Sequence, residues 1–279
     1  MSDWDYGDSY KRFPVERDET IALSDGSFLM ARDITDGLPE FMCKADIIFT
    51  DSPWNTGNLR SFYTKAGRGL PESIEEDPFG QFYDVLFDCI GNIKPRVCYL
   101  EIGKEYLGEC LNRMGKIYSK VTFYNSTYYH KKDNLCYVVQ GSDKKKNWKY
   151  DGLDEEDIIS RIAEDEDYSC IGDLCMGRGL VALAAAKNGK KFVGTELNPK
   201  RLAVCLERLN GLGITRIDNT DPPENKVTRL RNNLGLSRAA FSRKYNIPLR
   251  TLENWEGGVT SPPDYVISLL YQVTSMKND

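Results

Sequence analysis

An acidic residue, a proline turn and an aromatic residue directly follow one of the most apolar stretches of this 279-residue chain. Residues 45–50 (Ala-Asp-Ile-Ile-Phe-Thr) are typical of a buried strand, and Asp51, Ser52, Pro53 and Trp54 come next. In an α/β sheet the carboxyl end of such a strand faces the edge that binds ligands. Asp51 and a backbone carbonyl of the turn could then accept hydrogen bonds from a planar amine while Trp54 stacks on its ring. A plain turn after a buried strand is the alternative.

A second strand runs into a glycine turn further along the chain. Residues 169–179 (Ser-Cys-Ile-Gly-Asp-Leu-Cys-Met-Gly-Arg-Gly) precede an alanine-rich helix, and seventeen residues after Gly179 another strand ends in Glu196. Glycines let the backbone approach a ligand closely, and an acid at that distance can accept hydrogen bonds from ribose hydroxyls. This pattern predicts an adenosine site. A dinucleotide site is disfavoured because Ala182 stands near where a third glycine is expected, and no phosphate-binding GxxxxGK[ST] sequence is present.

Residues 51–54 resemble motif IV, Asp-Pro-Pro-Tyr, of the amino-methyltransferases that modify adenine N6 or cytosine N4. The following residues 55–58 and 62–63 are similar to the adenine-specific members. Ser52 replaces the first proline and Trp54 replaces the tyrosine. The resemblance implies a flipped-out base and direct transfer of a methyl group to its amine, without a covalent nucleophile and without a metal. The catalytic residues that it implies are Asp51, Ser52, Pro53 and Trp54.

The glycine turn resembles motif I of S-adenosylmethionine enzymes, which implies S-adenosylmethionine as the cofactor. Motif IV precedes motif I by about 120 residues, which is the permuted order of the β class of these enzymes. In that arrangement residues 20–23 are expected to complete the sheet beside the strand that ends in Glu196, with the following turn near the cofactor adenine. The cofactor-binding residues that the resemblance implies are Asp173, Cys175, Gly177, Gly179, Glu196 and Asp25.

Short apolar runs alternate with helical patterns up to residue 217, which is typical of an α/β domain. We expect a Rossmann-like methyltransferase fold over residues 1–217, with a mostly parallel sheet of seven strands. The predicted strands are 20–23, 45–50, 96–102, 120–125, 135–140, 168–173 and 191–197.

A cluster of turn-forming residues at 218–225 is expected to be a linker to a small all-α domain, 226–279. This tail carries eight basic and four acidic residues, although the whole chain has a net charge of -5. Residues 230–258 are similar to the helix-turn-helix of phage repressors, with a four-helix dimerisation module as the alternative. The predicted core consists of Leu236, Phe241, Ile247, Leu252 and Trp255. The DNA-contacting residues that the resemblance implies are Arg238, Arg250, Thr251 and Asn254.

Two other basic stretches, 60–68 and 144–149, could hold the DNA backbone over the active site. Arg60 and Lys65 are the candidate DNA contacts in the first, which is expected to be a long polar loop. An ordinary charged loop is the alternative for both.

Together these patterns predict a DNA methyltransferase specific for adenine N6 whose partner is double-stranded DNA, with a homodimer on DNA as a further expectation. A cytosine N4 enzyme, an RNA methyltransferase and a DNA-binding regulator with an inactive methyltransferase domain stay open. Methylation at cytosine C5 is disfavoured because no cysteine follows a proline. No long apolar run or signal-like start is present, so we expect a cytoplasmic protein with reduced cysteines. Nothing resembles a nuclease, so a restriction-modification role would need a separately encoded partner.

Overall fold

The computed structural model describes residues 6–144, 149–217 and 226–256, together with positions 262–263, 266 and 269–270. The chain forms two compact units, Met1–Ile217 and Asp218–Asp279. No helix among the described residues is long and apolar enough to cross a membrane.

The described part of the large unit is built on one mixed sheet of eight strands, in the order β1-β2-β8-β7-β3-β4-β6-β5. The five strands β2, β8, β7, β3 and β4 are parallel neighbours, whereas the β1–β2, β4–β6 and β6–β5 pairs are antiparallel. The strands are β1 (Thr20–Ala22), β2 (Phe28–Ala31), β3 (Ile47–Asp51), β4 (Val97–Ile102), β5 (Lys120–Tyr128), β6 (Lys131–Ser142), β7 (Cys170–Asp173) and β8 (Lys191–Glu196).

Helices connect these strands, and apolar cores form from residues of the sheet and the helices. Helix α3 shows why the sequence folds this way, since Phe79, Phe82, Leu86 and Ile90 recur at helical spacing and are all buried. The helices of this unit are α1 (Ser9–Arg12), α2 (Thr56–Lys65), α3 (Pro78–Ile93), α4 (Leu107–Ile117), α5 (Glu155–Asp165), α6 (Leu180–Lys187) and α7 (Pro199–Gly211).

The expected α/β class is present, but the expected sheet was wrong in one respect. Each of the seven predicted strands overlaps an observed one, whereas β2 was missed because its apolar run is only four residues long. It is β2 that pairs with β8, and the predicted first strand lies outside it as the antiparallel edge strand β1. The sheet is therefore mixed, with eight strands rather than seven, and four of its seven strand pairings are parallel.

The sheet reverses its winding direction between β7 and β3. From β7 the chain passes through α6 to β8 on one side, and from β3 it passes through α3 to β4 on the other. In open α/β sheets the crevice at such a switch point, outside the carboxyl ends of the strands, is the usual ligand site. An acidic residue lies at or near the carboxyl end of each of the five parallel strands. These residues are Asp33, Glu196, Asp173, Asp51 and Glu101.

The described part of the small unit contains helices α8 (Lys226–Asn233), α9 (Arg238–Tyr245) and α10 (Leu249–Glu256). Ser237 caps α9, its hydroxyl accepting from the N–H of Ala240 at 3.2 Å. The sequence pattern also predicts a helix over residues 263–273, which lies mostly outside the described residues. The predicted core is confirmed, because its five members, Leu236, Phe241, Ile247, Leu252 and Trp255, pack in one cluster.

Candidate active site

Asp51, the last residue of β3, accepts hydrogen bonds from two aromatic side chains. Trp54 Nε1 donates to Asp51 Oδ1 at 3.0 Å, and the Tyr128 hydroxyl donates to Oδ2 at 3.3 Å. The rings of Trp54 and Tyr128 meet edge to face, with centroids 5.2 Å apart. Burial raises the pKa of Asp51 to about 6, and these hydrogen bonds hold it from rising further. The carboxylate is therefore ionised near neutrality and available as an acceptor.

Glycine at position 103, directly after β4, makes room for the Trp54 ring. A Cβ atom on Gly103 would lie 3.0 Å from ring carbon Cε3 of Trp54, which is tighter than a normal carbon contact. The indole is thus held between the backbone after β4 and the Tyr128 ring.

Ser52 and Pro53 are both buried in the turn after β3. The Ser52 hydroxyl donates a long hydrogen bond of 3.4 Å to the Pro53 carbonyl. Asn55 then caps α2 by accepting from the N–H of Asn58 at 2.9 Å. The turn therefore passes directly into a helix, and the stretch 60–65 that was expected to be a polar loop is helical.

Tyr128 and Tyr129 were missed by sequence reasoning. The predicted strand stopped at residue 125, whereas β5 continues to Tyr128 and turns through Tyr129 and His130, both with positive φ (59° and 52°). Asp154 holds this two-residue turn, since its Oδ2 accepts from the Thr127 hydroxyl and from the His130 N–H, both at 2.8 Å. The paired tyrosines in the sequence were the available signal.

The glycine turn after β7 is held by two acids. Asp173 Oδ1 accepts from the Cys175 N–H at 3.0 Å. Glu196, at the end of β8, accepts from the Gly177 N–H at 2.7 Å and from the Asn198 N–H at 2.9 Å. Burial raises the pKa of Asp173 to about 7 and also raises that of Glu196.

Both motif glycines have backbone angles that favour glycine, with φ of 55° at Gly177 and 78° at Gly179. A Cβ atom on Gly179 would also overlap the sulfur of Cys205 on α7. Gly179 therefore lets the start of α6 pack against α7, whereas Gly177 faces more open space. The half-buried Cys175 lines the cavity, and burial raises the pKa of its thiol, so it is neutral.

One cavity of about 490 Å³ contains both motifs. Asp33, just beyond β2, also lines it and was missed because β2 was missed. Its carboxylate is 3% exposed and accepts from Thr35, from the Tyr63 hydroxyl at 3.0 Å and from Arg68 at 3.3 Å. The predicted residues that the structure brings together here are Asp51, Ser52, Pro53, Trp54, Lys65, Asp173, Cys175, Gly177 and Glu196.

Asp25, which was predicted to bind the cofactor, does not line this cavity. It lies in the turn between β1 and β2 and accepts from the N–H and hydroxyl of Ser27, at 3.0 and 2.9 Å. Ser27 Oγ in turn accepts from the Phe192 N–H near the amino end of β8. Because β2 runs parallel to β8, the turn before β2 lies at the amino ends of these strands, which is the sheet edge opposite the cavity.

Of the two predicted DNA contacts in the large unit, the structure places only one in the lining of the cavity. Arg60 is exposed on α2 and does not line the cavity, whereas Lys65 lines it. Partial loss of contact with water and the positive charge of Arg201 lower the pKa of Lys65. The second basic stretch, 144–149, lies mostly outside the described residues.

In the small unit, Arg250 extends from α10 with 85% of its side chain exposed, and its contact with Glu253 is a loose ion pair of 3.7 Å. Thr251 and Asn254 are partly exposed on the same helix. Arg238 instead pairs with Glu256, whose side chain is 1% exposed and which also accepts from Arg231 at 2.6 Å. Arg250 is therefore more available for an outside partner than Arg238.

No protein-family model and no curated protein sequence matches the chain. Among solved structures, the chain is similar to the complex of M1.HpyAVI with S-adenosylmethionine, with 14% identity and a TM-score of 0.46 over 65% of this chain and 98% of that one. TTHA0409 of Thermus thermophilus, a provisionally assigned DNA modification methylase, shares 14% identity with a TM-score of 0.47, over 65% of this chain and 92% of that one. The cytosine-N4-specific PvuII DNA methyltransferase shares 11% with a TM-score of 0.42, over 66% and 90%. Because these TM-scores lie below 0.5, the function proposed next rests on the residues of the cavity.

Proposed function

We propose that this protein is an S-adenosylmethionine-dependent DNA methyltransferase that methylates the exocyclic N6 amine of adenine. One observation carries the proposal, namely that a single cavity contains both the Asp51–Trp54 pair and the glycine turn held by Glu196. An amine acceptor and an adenosine site in one cavity are what a direct methyl transfer requires, because the two reactants must meet in line.

The lining of the cavity suits the proposed cofactor. Glu196 and Asp173 offer carboxylate oxygens for ribose hydroxyls, and the open space at Gly177 lets the backbone approach a ligand. Asp33 lies just beyond β2, the strand next to β8. Its Oδ1 already accepts from Thr35 and Tyr63, so Oδ2 is the acceptor assigned to the amino group of an adenine ring. When bound, S-adenosylmethionine supplies an electrophilic methyl group.

The residues of the chain then position the target amine. Asp51 and the Pro53 carbonyl accept its two hydrogens, which directs the nitrogen lone pair toward the methyl group. Trp54 stacks on the base, and Tyr128 borders the same space from the hairpin. A target base inside a duplex cannot reach this cavity, so the proposal includes extrusion of the nucleotide.

The small unit supports DNA as the substrate. Helix α10 presents Arg250, Thr251 and Asn254, and a helix of this kind can enter the major groove. We assign the main DNA contact to Arg250, because Arg238 forms an ion pair with Glu256. A homodimer on DNA is part of the proposal.

The test is transfer of a labelled methyl group to genomic DNA and, in parallel, to total RNA, with the modified nucleosides identified by mass spectrometry. The proposal predicts N6-methyladenine in DNA. Methylcytosine at N4, or label in RNA, would replace the assigned substrate with one of the two alternatives. Cofactor binding without any transfer would favour the inactive regulator.

A further inference from the structure

Glu101 is a carboxylic acid buried in the candidate site, and no hydrogen-bond donor meets its oxygens. It lies on β4 beside Asp51 of β3 in the parallel register. It is 0% exposed, neither of its oxygens meets a donor, and yet it lines the cavity. An ionised carboxylate is strongly disfavoured in such a place, and burial raises the pKa of Glu101 well above its usual range. Glu101 therefore carries a proton at neutral pH.

Glu155, the first residue of α5, is the side chain that can accept the proton of Glu101, because a carboxyl–carboxylate hydrogen bond links the two. Glu155 is 2% exposed and lines the same cavity. Two ionised carboxylates only accept hydrogen bonds, so a bond between these side chains exists only while a proton is present. Burial raises the pKa of Glu155 to about 8, and the hydrogen bond with Glu101 keeps it from rising further.

The groups around this pair come from three strands and from α5. Asp51 on β3 is an ionisable neighbour, and Asp154 and Glu156 flank Glu155 in the sequence; all three raise its pKa. Tyr128 on β5 and Cys136 on β6 also face the pair. Burial raises the pKa of the Cys136 thiol to about 12 and that of Tyr128 as well, so both stay neutral.

We infer that Glu155, positioned by the proton of Glu101, receives the proton that the target amine loses during methyl transfer, with Asp51 as the intermediate carrier. This inference rests on the proposed function. The amine nitrogen bonds to the methyl carbon while the carbon–sulfur bond breaks and leaves its electron pair on sulfur. The nitrogen is then cationic, and one N–H proton passes to the Asp51 carboxylate and from there to Glu155. Asp51 is ionised again, and water removes the proton from Glu155 between turnovers.

The direction of this relay follows from the order of the two pKa values. A proton moves from Asp51, with a pKa of about 6, to Glu155, with a pKa of about 8. Glu155 accepts only when it is ionised, so the rate of methyl transfer should rise with pH twice. The first rise marks ionisation of Asp51, and the second marks ionisation of Glu155.

The test is the single-turnover rate of methyl transfer between roughly pH 5 and pH 10. In Glu155→Gln we expect the second rise to disappear and the rate above it to fall by about tenfold or more, with unchanged affinity for S-adenosylmethionine and DNA. Glu101→Gln keeps a donor to Glu155 and should retain both rises, whereas Glu101→Leu removes the donor and should move the second rise to higher pH. Asp157→Asn, on an exposed residue of α5 outside the cavity, is the matched control for loss of one charge.

A Glu155→Gln profile identical to that of the wild type would overturn the relay. A second rise that moves as far in Glu101→Gln as in Glu101→Leu would do the same, because it would mean that Glu101 acts in its ionised form. A ¹³C NMR titration of glutamate carboxyl groups in the full chain tests the pair without any reaction. A signal that titrates near pH 8 and vanishes in Glu155→Gln supports it. Absence of this signal refutes the Glu101–Glu155 pair even if methyl transfer is found. A signal present in a protein that transfers no methyl group at any pH refutes the proposed function instead.

Discussion

The indole N–H of Trp54 donates a 3.0 Å hydrogen bond to the carboxylate of Asp51, three residues earlier in the chain. The ring proposed to stack on the target base and the carboxylate proposed to accept its amine therefore hold each other in place. Tyr128 completes the arrangement from the β5–β6 hairpin, 77 residues away in sequence. The site is thus preorganised by one local contact and one long-range contact.

Loss of the Tyr128 hydroxyl should move the pH dependence of methyl transfer. That hydroxyl lowers the pKa of Asp51, so in Tyr128→Phe the pKa should rise above about 6. The ionised acceptor then forms only at higher pH, and the acidic limb of kcat/KM should shift in the alkaline direction. Tyr137→Phe on β6, which does not line the cavity, should leave the limb in place. An unshifted limb in Tyr128→Phe would remove Asp51 as the group that titrates there.

Gly103→Ala should impair turnover by displacing Trp54. The added methyl would lie 3.0 Å from the indole, so the ring must move away from its place beside Asp51. We expect kcat to fall by roughly tenfold, since small misplacements at a reacting site are costly. Gly108→Ala, on α4 with open space around it, is the control and should be nearly neutral. Equal kcat values for the two variants would show that the position of Trp54 does not matter for catalysis.

Gly179→Ala should destabilise the large unit through two separable effects. One is the positive φ of 78°, and the other is overlap of the new methyl with the sulfur of Cys205. Gly213→Ala has a similar φ of 82° but open space, so it isolates the backbone effect. We expect Gly179→Ala to lower the free energy of unfolding by about 1–3 kcal/mol more than Gly213→Ala, measured by urea denaturation. Indistinguishable denaturation midpoints would contradict the close packing of α6 on α7.

Arg250→Ala combined with Asn254→Ala should weaken DNA binding while the affinity for S-adenosylmethionine stays constant. Each side chain that reads a base edge contributes about 1–3 kcal/mol, so the dissociation constant should rise at least tenfold. Arg243→Ala, on exposed α9, controls for the loss of a positive charge in the same unit. Both measurements need the same salt concentration, because phosphate contacts make binding depend on salt. Unchanged DNA affinity in the double variant would contradict the proposal that α10 binds DNA.

Local patterns in the sequence were enough to predict most of the large unit. Strands such as β3 and β7 were predictable because a buried parallel strand is a short apolar run. The four-residue β2 was not predictable in this way. Because β2 was missed, the sequence showed neither that Asp33 lies in the site nor that β2 is the partner of β8. The expectation that residues 20–23 lie beside β8 was wrong for the same reason, because which strand lies beside β8 depends on pairing and not on local composition.

The same distinction holds within the candidate site. Asp51, Trp54 and Glu196 were predictable because each belongs to a contiguous motif. Tyr128 and Glu155 were not, since only the folding of the hairpin and of α5 brings them to Asp51. The burial of Glu101 beside Asp51 is likewise a consequence of strand register.

The most direct test of the central claim is to separate cofactor binding from methyl transfer in Asp51→Ala. The affinity for S-adenosylmethionine, measured by calorimetry, should stay within about twofold of wild type, because Asp51 acts on the base. Methyl transfer to adenine in DNA should fall by at least about a hundredfold, while Asp157→Asn should behave as wild type. Asp51→Ala that still methylates DNA at the wild-type rate would contradict the account.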